Sequence, residues 1–213
     1  ASTTINVSAP PNAPQAEINQ TLCFDNAFHT PVANPPAGAT LLWYENQSGG
    51  TPIQVPQFKD PNTYTVYVSS FEGSCESARM PIVFVINPSP IVKALVNDNS
   101  VCINETIDLE ATFTQNGSST APTSWNWSGP NSFSNTSRNP QPFQAININQ
   151  SRTYNDTVTD NNNCTNTASL NVSVNLLPDL SDDKFSTINV DCFGNSTGQI
   201  TLSLANSDFS FVW

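Results

Sequence analysis

Basic residues are scarce in this chain: 213 residues carry six Lys and Arg against seventeen Asp and Glu, for a net charge of −11. A phosphate-gripping surface needs clustered Lys and Arg to displace counterions, so the balance argues against nucleic acid as a partner. An anionic membrane surface is disfavoured for the same reason. No apolar run approaches the ~20 residues that span a bilayer, so membrane insertion is not expected. No basic leader precedes an apolar stretch, so any signal peptide is expected to have been removed or to lie upstream. There is no Cys-x-x-Cys and a single histidine, His29, which argues against zinc. His29 lies in a segment flanked by Phe28 and Pro31, with no nucleophile or orienting acid at recognisable spacing, and reads as a loop residue.

Charged residues make up only 11% of the chain, yet 37% are hydrophobic, and these fall in alternating runs. That pattern argues against disorder despite the abundance of Asn, Ser, Thr and Pro. A phrase recurs three times: an alternating apolar strand, a proline, then a cysteine. It runs from Ile5–Val7 through Pro10 to Cys23, from Val83–Val85 through Pro88 to Cys102, and from Val172–Val174 through Pro178 to Cys192. The proline-to-cysteine spacings are 13, 14 and 14, and repetition of this kind means serial modules. Trp43 follows Cys23 by 20 residues, Trp125 and Trp127 follow Cys102 by 23 and 25, and Trp213 follows Cys192 by 21. The expected division is 1–9, the last strand of a preceding module; 10–87 and 88–177, two complete modules; and 178–213, the N-terminal half of another.

Strand signals dominate. Ala39–Glu45, Tyr64–Ser69, Thr106–Phe113, Thr123–Trp127 and Arg152–Thr159 are rich in aromatic and β-branched residues at period two. Cys75–Ile86 and Cys164–Val174 return after the turns Glu72-Gly73-Ser74 and Asp160–Asn163. Ile107, Leu109, Ala111 and Phe113 share one face, and Trp125 and Trp127 share another. The Cys–Trp–Cys order resembles that of immunoglobulin domains, although Cys75 and Cys164 follow the final hairpin turn instead of lying inside the penultimate strand. The expected fold class is all-β: tandem immunoglobulin-like antiparallel sandwiches in a linear array.

Four cysteines fall two to a module: Cys23 with Cys75, and Cys102 with Cys164. Four allow three connectivities, and modules that fold independently favour pairing within each. Cys192 is then left unpaired in this segment, and paired cysteines imply an oxidising compartment. No cofactor or metal is assigned; two acidic stretches could hold calcium, which takes several oxygen ligands in flexible geometry. Asp179, Asp182 and Asp183 at the second junction are the candidate ligands, whereas Asp160–Asn163 reads more economically as a hairpin turn. Glycosidase chemistry would need two carboxylates across a cleft, which a small sandwich lacks. No catalytic residue is assigned.

The run Leu42-Trp43-Tyr44, Gly49-Gly50-Thr51-Pro52, Tyr64–Val68, Cys75-Glu76-Ser77 and Arg79 resembles the Ig-like repeats of secreted and cell-surface Bacteroidota proteins. Trp127–Asn131, Tyr154, Val158-Thr159-Asp160 and Cys164-Thr165 are similar to the PKD-like and Ig-like repeats of the same proteins. Val190–Asn195, Gly198–Leu202 and Trp213 resemble the SprB-type repeat of gliding-motility adhesins, with Asn206–Phe209 standing where Gly-Gly-x-Pro-Tyr is usual. The resemblance implies a structural stalk of a large surface adhesin, located outside the cell at the outer membrane. It implies export by type IX secretion, with the gliding machinery and neighbouring modules as partners. Asp156-Thr157-Val158 fits the Asp-Thr/Ser-apolar sequence that such proteins use for O-glycosylation, at Thr157. Two other readings stand beside the stalk: polysaccharide-binding modules of a secreted hydrolase, with Trp125 or Trp127 as a sugar platform, and the subunit of a polymerising surface filament.

Overall fold

A computed structural model describes residues 9–114, 121–177, 185–194 and 196–202. The described residues are strands and connections, with two short 3-10 turns at Pro130–Ser132 and Ile148–Gln150 as the helical pieces. Two separate hydrophobic cores form, one from each half of the chain.

The N-terminal core is built on β1 (Asn19–Cys23), β2 (Thr40–Tyr44), β3 (Asn62–Glu72), β4 (Cys75–Glu76) and β5 (Met80–Asn87). Their order in the sheet is β1-β5-β3-β2, with β4 added to the end of β3. Antiparallel strands β3 and β5 bury Val66, Val68, Ile82, Phe84 and Ile86 at alternate positions, as a half-buried sheet requires. Trp43 joins that core at 4% exposure, and bridges at Gln15–Asn34, His29–Phe58 and Trp43–Ile53 lay the long loops across it. The opening strand β1 runs parallel to the closing strand β5, with Asn19 beside Val83 and Cys23 beside Asn87.

The second core repeats this plan. Its strands are β6 (Ile91–Val96), β7 (Ser100–Cys102), β8 (Thr106–Ile107), β9 (Leu109–Thr114), β10 (Pro122–Ser128), β11 (Ser134–Asn135), β12 (Phe143–Gln144), β13 (Arg152–Asp160) and β14 (Thr165–Asn175). One sheet has the order β11-β10-β13-β14-β7, and the ribbons β6–β9 and β8–β12 stand apart from it. Ala94, Val96, Ile107, Leu109 and Ala111 from the ribbons meet Trp127, Tyr154, Val172 and Val174 from the sheet, closing a sandwich. The inward face of Thr106–Phe113 is the one its alternation predicts, with Ile107, Leu109 and Ala111 fully buried. Trp127 is wholly buried and its indole N–H donates to the Arg138 carbonyl at 3.1 Å. Trp125 is half-buried against the same core, with the Arg138 guanidinium over its ring. Here β7, which follows β6 in the chain, is the counterpart of β1 and serves as the opening strand parallel to the closing one: Ser100 lies beside Ser173 and Cys102 beside Asn175. Beyond it, β15 (Phe185–Ile188) and β16 (Gln199–Leu202) form an antiparallel pair.

The parallel register sets a polarity that sequence spacing does not reveal. In each sandwich the opening-strand cysteine sits at the end where the closing strand finishes, and the hairpin cysteine sits where that strand begins. Met80 to Asn87 spans about 24 Å of strand, and Thr165 to Asn175 about 34 Å. Disulfide-bonded Cα atoms lie within about 7 Å, so opposite poles of one sandwich cannot be bridged. The expected pairing within modules, Cys23 with Cys75 and Cys102 with Cys164, is therefore corrected. Cys23 is bonded to Cys164 across the two sandwiches, with Cα atoms 5.5 Å apart and 141 residues between them in sequence.

Candidate functional site

The junction between the sandwiches is where the fold brings chemistry-bearing residues together. The connection Pro88-Ser89-Pro90 is short, and both prolines are buried. Proline holds φ near −65° and offers no N–H, so a segment flanked by two of them loses much of its freedom to swivel. The Phe24 N–H donates to the Asn87 carbonyl at 2.8 Å, and the Ser89 hydroxyl donates to the Phe24 carbonyl at 3.0 Å. From the other side, the Asn166 amide donates to the Pro90 carbonyl at 2.7 Å. Between these contacts runs the Cys23–Cys164 bond.

The hairpin that supplies Cys164 is tightly wound. The N–H groups of Asn162 and Cys164 both donate to Asp160 Oδ1 at 2.9 Å, and Asn163 takes φ of 60°. Asparagine tolerates that left-handed conformation, so Asp160–Asn163 is the turn its composition suggests. Cys164 is fully buried and Cys23 half-buried. The bond is therefore covered on its Cys164 side.

Other predicted residues are scattered. Cys102 is a half-buried thiol at the far end of the second sandwich, and Cys192 is an exposed thiol. Cys75 sits in the hairpin at the opposite end of the first sandwich. Thr157 stands mid-strand on the outer face, its hydroxyl 2.9 Å from that of Thr167. Asp179, Asp182 and Asp183 lie outside the described residues. Among the described residues, no group of three His, Cys, Asp or Glu side chains gathers as a metal cage would. His29 is paired with Asp25 at 2.8 Å, and the hydrogen bond from its ring holds the Asp25 carboxyl below its ordinary value. Three surface grooves contain one charged side chain each, Arg152, Asp98 and Glu17. Paired acid–base work needs two such groups within reach of one substrate, and none of these three grooves supplies them.

Two buried polar features escaped the sequence reading. Asp156 is fully buried on the core face of β13; its Oδ1 accepts the Asn126 N–H at 3.3 Å, and its Oδ2 has no hydrogen-bond partner among the described residues. Burial pushes its carboxyl pKa up, against the smaller opposing effect of that hydrogen bond. Its place at alternation with Tyr154 and Val158 is a signal that could have found it. The second is a knot at the edge of the first core, where the Arg79 guanidinium donates to the carbonyls of Asn46 and Gly49. Burial opposes ionisation of the neighbouring Glu76, but hydrogen bonds from Ser69, Tyr44 and Arg79 outweigh it and hold that carboxyl below its ordinary value.

Paired sandwiches with parallel opening strands, few charges and a buried disulfide define the class: immunoglobulin-like modules in series. Residues 11–88 match the family model described as an Ig-like domain, CHU_C associated, which supports a bacterial Ig-like repeat. No curated protein matches the chain in sequence. Among solved structures, a chain from a study of Dscam isoform specificity is similar at 10% identity, over 77% of this chain and 46% of that one, with a TM-score of 0.31. The N-terminal four Ig domains of Dscam1 isoform 6.44 are similar at 9% identity, over 80% and 47%, with a TM-score of 0.32. The amphioxus IgVJ-C2 molecule is similar at 14% identity, over 72% and 99%, with a TM-score of 0.34. The chain spans about half the length of the Dscam chains it matches. An Ig-like fold with a disulfide points to an extracellular or surface setting. No helix among the described residues is long and apolar enough to cross a membrane.

Proposed function

We propose that this chain is a load-bearing spacer segment of a large secreted surface adhesin, holding a binding region away from the cell. The observation that carries the reading is the Cys23–Cys164 bond, which ties the opening strand of one sandwich to the hairpin of the next. Tension applied at the two ends of the chain passes from Cys23 straight to Cys164. Everything between them, including both sandwich sheets apart from β14 and most of β1, is shielded until that bond is reduced. The double-proline connection and its hydrogen bonds add to the stiffness. Neighbouring modules of the same protein are the partners this role requires. The type IX secretion route, the gliding machinery and O-glycosylation at Thr157 belong to the reading through resemblance to gliding-motility adhesins.

The rival polysaccharide platform finds no support in the tryptophans, since Trp127 is buried and Trp125 is packed between the core and Arg138. Single-molecule pulling from the two ends tests the spacer reading. The oxidised chain should extend short of the reduced chain, or of Cys23→Ser, by about 490 Å, the length of 141 extended residues. Equal extension in the two states would remove the mechanical role.

A further inference from the structure

The register places Cys102 in the same position as Cys23. Each is the last residue of an opening strand that runs parallel to the closing strand, and each lies beside the asparagine that ends that closing strand, Asn87 or Asn175. In each, the next N–H donates to that asparagine's carbonyl: Phe24 to Asn87 at 2.8 Å, and Ile103 to Asn175 at 2.9 Å. At the first pole the seat is filled by the hairpin of the following sandwich, through the disulfide and the Asn166–Pro90 hydrogen bond. At the second pole the cysteine is a thiol.

A separate observation concerns the apolar surface of the second pole. Ile146, Ile148, Leu176 and Leu177 are each 50% to 67% exposed. Leu176 and Leu177 directly follow Asn175. Ile146 and Ile148 follow Ala145, whose backbone bonds Asn104 and Glu105 beside Cys102. By their place in the chain, two following the strand end beside Cys102 and two following Ala145, these four aliphatic residues make this pole an apolar collar of the kind found at interaction surfaces.

We propose that Cys102 is the receiving half of a second junction staple, bonded in the mature protein to the hairpin cysteine of a following Ig-like module that seats on this collar. The inference rests on the spacer reading, in which modules continue in series. Bond formation removes one proton and one electron from each of the two thiols. An oxidising disulfide of a thiol–disulfide exchange protein accepts them and leaves as a dithiol. The same geometry, an opening cysteine bonded to the hairpin of the following module, is then repeated at successive junctions. Because the segment between Cys23 and Cys164 contains Cys102, successive staples overlap, and no junction is left to its linker alone.

The test is disulfide mapping of the full-length protein, alkylated without reduction, digested and read by mass spectrometry. The expected result is two cross-linked peptides: Cys23 with Cys164, and Cys102 with a cysteine in the hairpin of the next module. In a parallel measurement, Cys102 of the 213-residue chain should take up one maleimide, and Cys102 of the full-length protein none before reduction. An alkylated Cys102 in the full-length protein beside an intact Cys23–Cys164 peptide overturns this inference and leaves the spacer reading standing. A peptide joining Cys102 to Cys75, or to a second copy of itself, also overturns it. Peptides joining Cys23 to Cys75 and Cys102 to Cys164 would overturn the junction itself, and the spacer reading with it.

Discussion

The guanidinium of Arg79 lies 3.2 Å from the centroid of the Tyr44 ring, sealing the edge of the first core. Tyr44 is 2% exposed, and the same guanidinium reaches the carbonyls of Asn46 and Gly49 at 3.0 and 2.6 Å. One planar cation therefore covers an aromatic face and ties down the turn that follows β2. Lysine carries the charge but neither the plane nor the fork. Arg79→Lys should lower the stability of the first sandwich by about 1–2 kcal/mol, and Arg79→Ala by more, because lost packing adds to lost hydrogen bonds. Urea unfolding of the two variants measures this. Equal stability of Arg79→Lys and the unaltered chain would contradict it.

Gly129 is required for space. Its backbone is extended, at φ of −168°, so conformation alone would admit any residue. A Cβ there would lie 2.6 and 2.8 Å from atoms of the Tyr154 ring, which is buried against Phe133 and Phe143. Gly129→Ala should destabilise the second sandwich by about 1–3 kcal/mol through overpacking. Gly73→Ala, at a hairpin turn with nothing near its Cβ, perturbs only a backbone φ of 61° and should leave the second core untouched. Thermal unfolding of the pair separates the two effects.

The legible parts of the fold were those written in side-chain periodicity. Arg152–Thr159 and Cys164–Val174 form the hairpin their alternation predicts, and Ile107, Leu109, Ala111 and Trp127 point into the core as expected. Strand β1 was not legible, because Asn19-Gln20-Thr21-Leu22-Cys23 is polar and becomes a strand through backbone pairing to β5. Strand β7 is three residues long and owes its existence to the same parallel pairing with β14. That pairing decides the disulfide. The local sequence marks Cys75 and Cys164 as hairpin cysteines, but only the nonlocal register shows that Cys23 and Cys102 lie at the opposite poles. The candidate site was thus visible as cysteines and hidden as a junction.

Asp156 makes stability depend on pH in an unusual direction for a carboxylate. Burial raises its pKa in the folded state above the ordinary 3.8. The native state then binds the proton more tightly than the unfolded state does, so this group's contribution is most favourable below the unfolded pKa. It is lost as pH rises from about 3.8 to the raised folded value, and beyond that the penalty is constant. Asp156→Asn keeps an acceptor for the Asn126 N–H and removes the titration. Denaturant midpoints across this interval should show the unaltered chain losing stability relative to Asp156→Asn as pH rises. Parallel curves would show that Asp156 does not titrate with folding.

Reduction of Cys23–Cys164 should uncouple the two cores. With the bond intact, unfolding either sandwich leaves its opening strand or its hairpin tethered to a folded neighbour. In the chain-entropy picture a bridge closing 141 residues is worth about 5 kcal/mol against global unfolding. Cys164 is fully buried and Cys23 half-buried, so in the folded state a reductant approaches the bond from the Cys23 side alone. Native-state reduction should therefore be slower than for a fully exposed disulfide and should quicken under mild denaturant. Calorimetry should show one transition for the oxidised chain, and two, both at lower temperature, for Cys23→Ser or Cys164→Ser. Cys102→Ser in the same 213-residue chain should match the unaltered protein, since its thiol takes no part in this bond. A single unshifted transition in Cys23→Ser would mean that noncovalent contacts at Phe24, Ser89, Pro90 and Asn166 already couple the sandwiches, leaving the disulfide no energetic share in the junction.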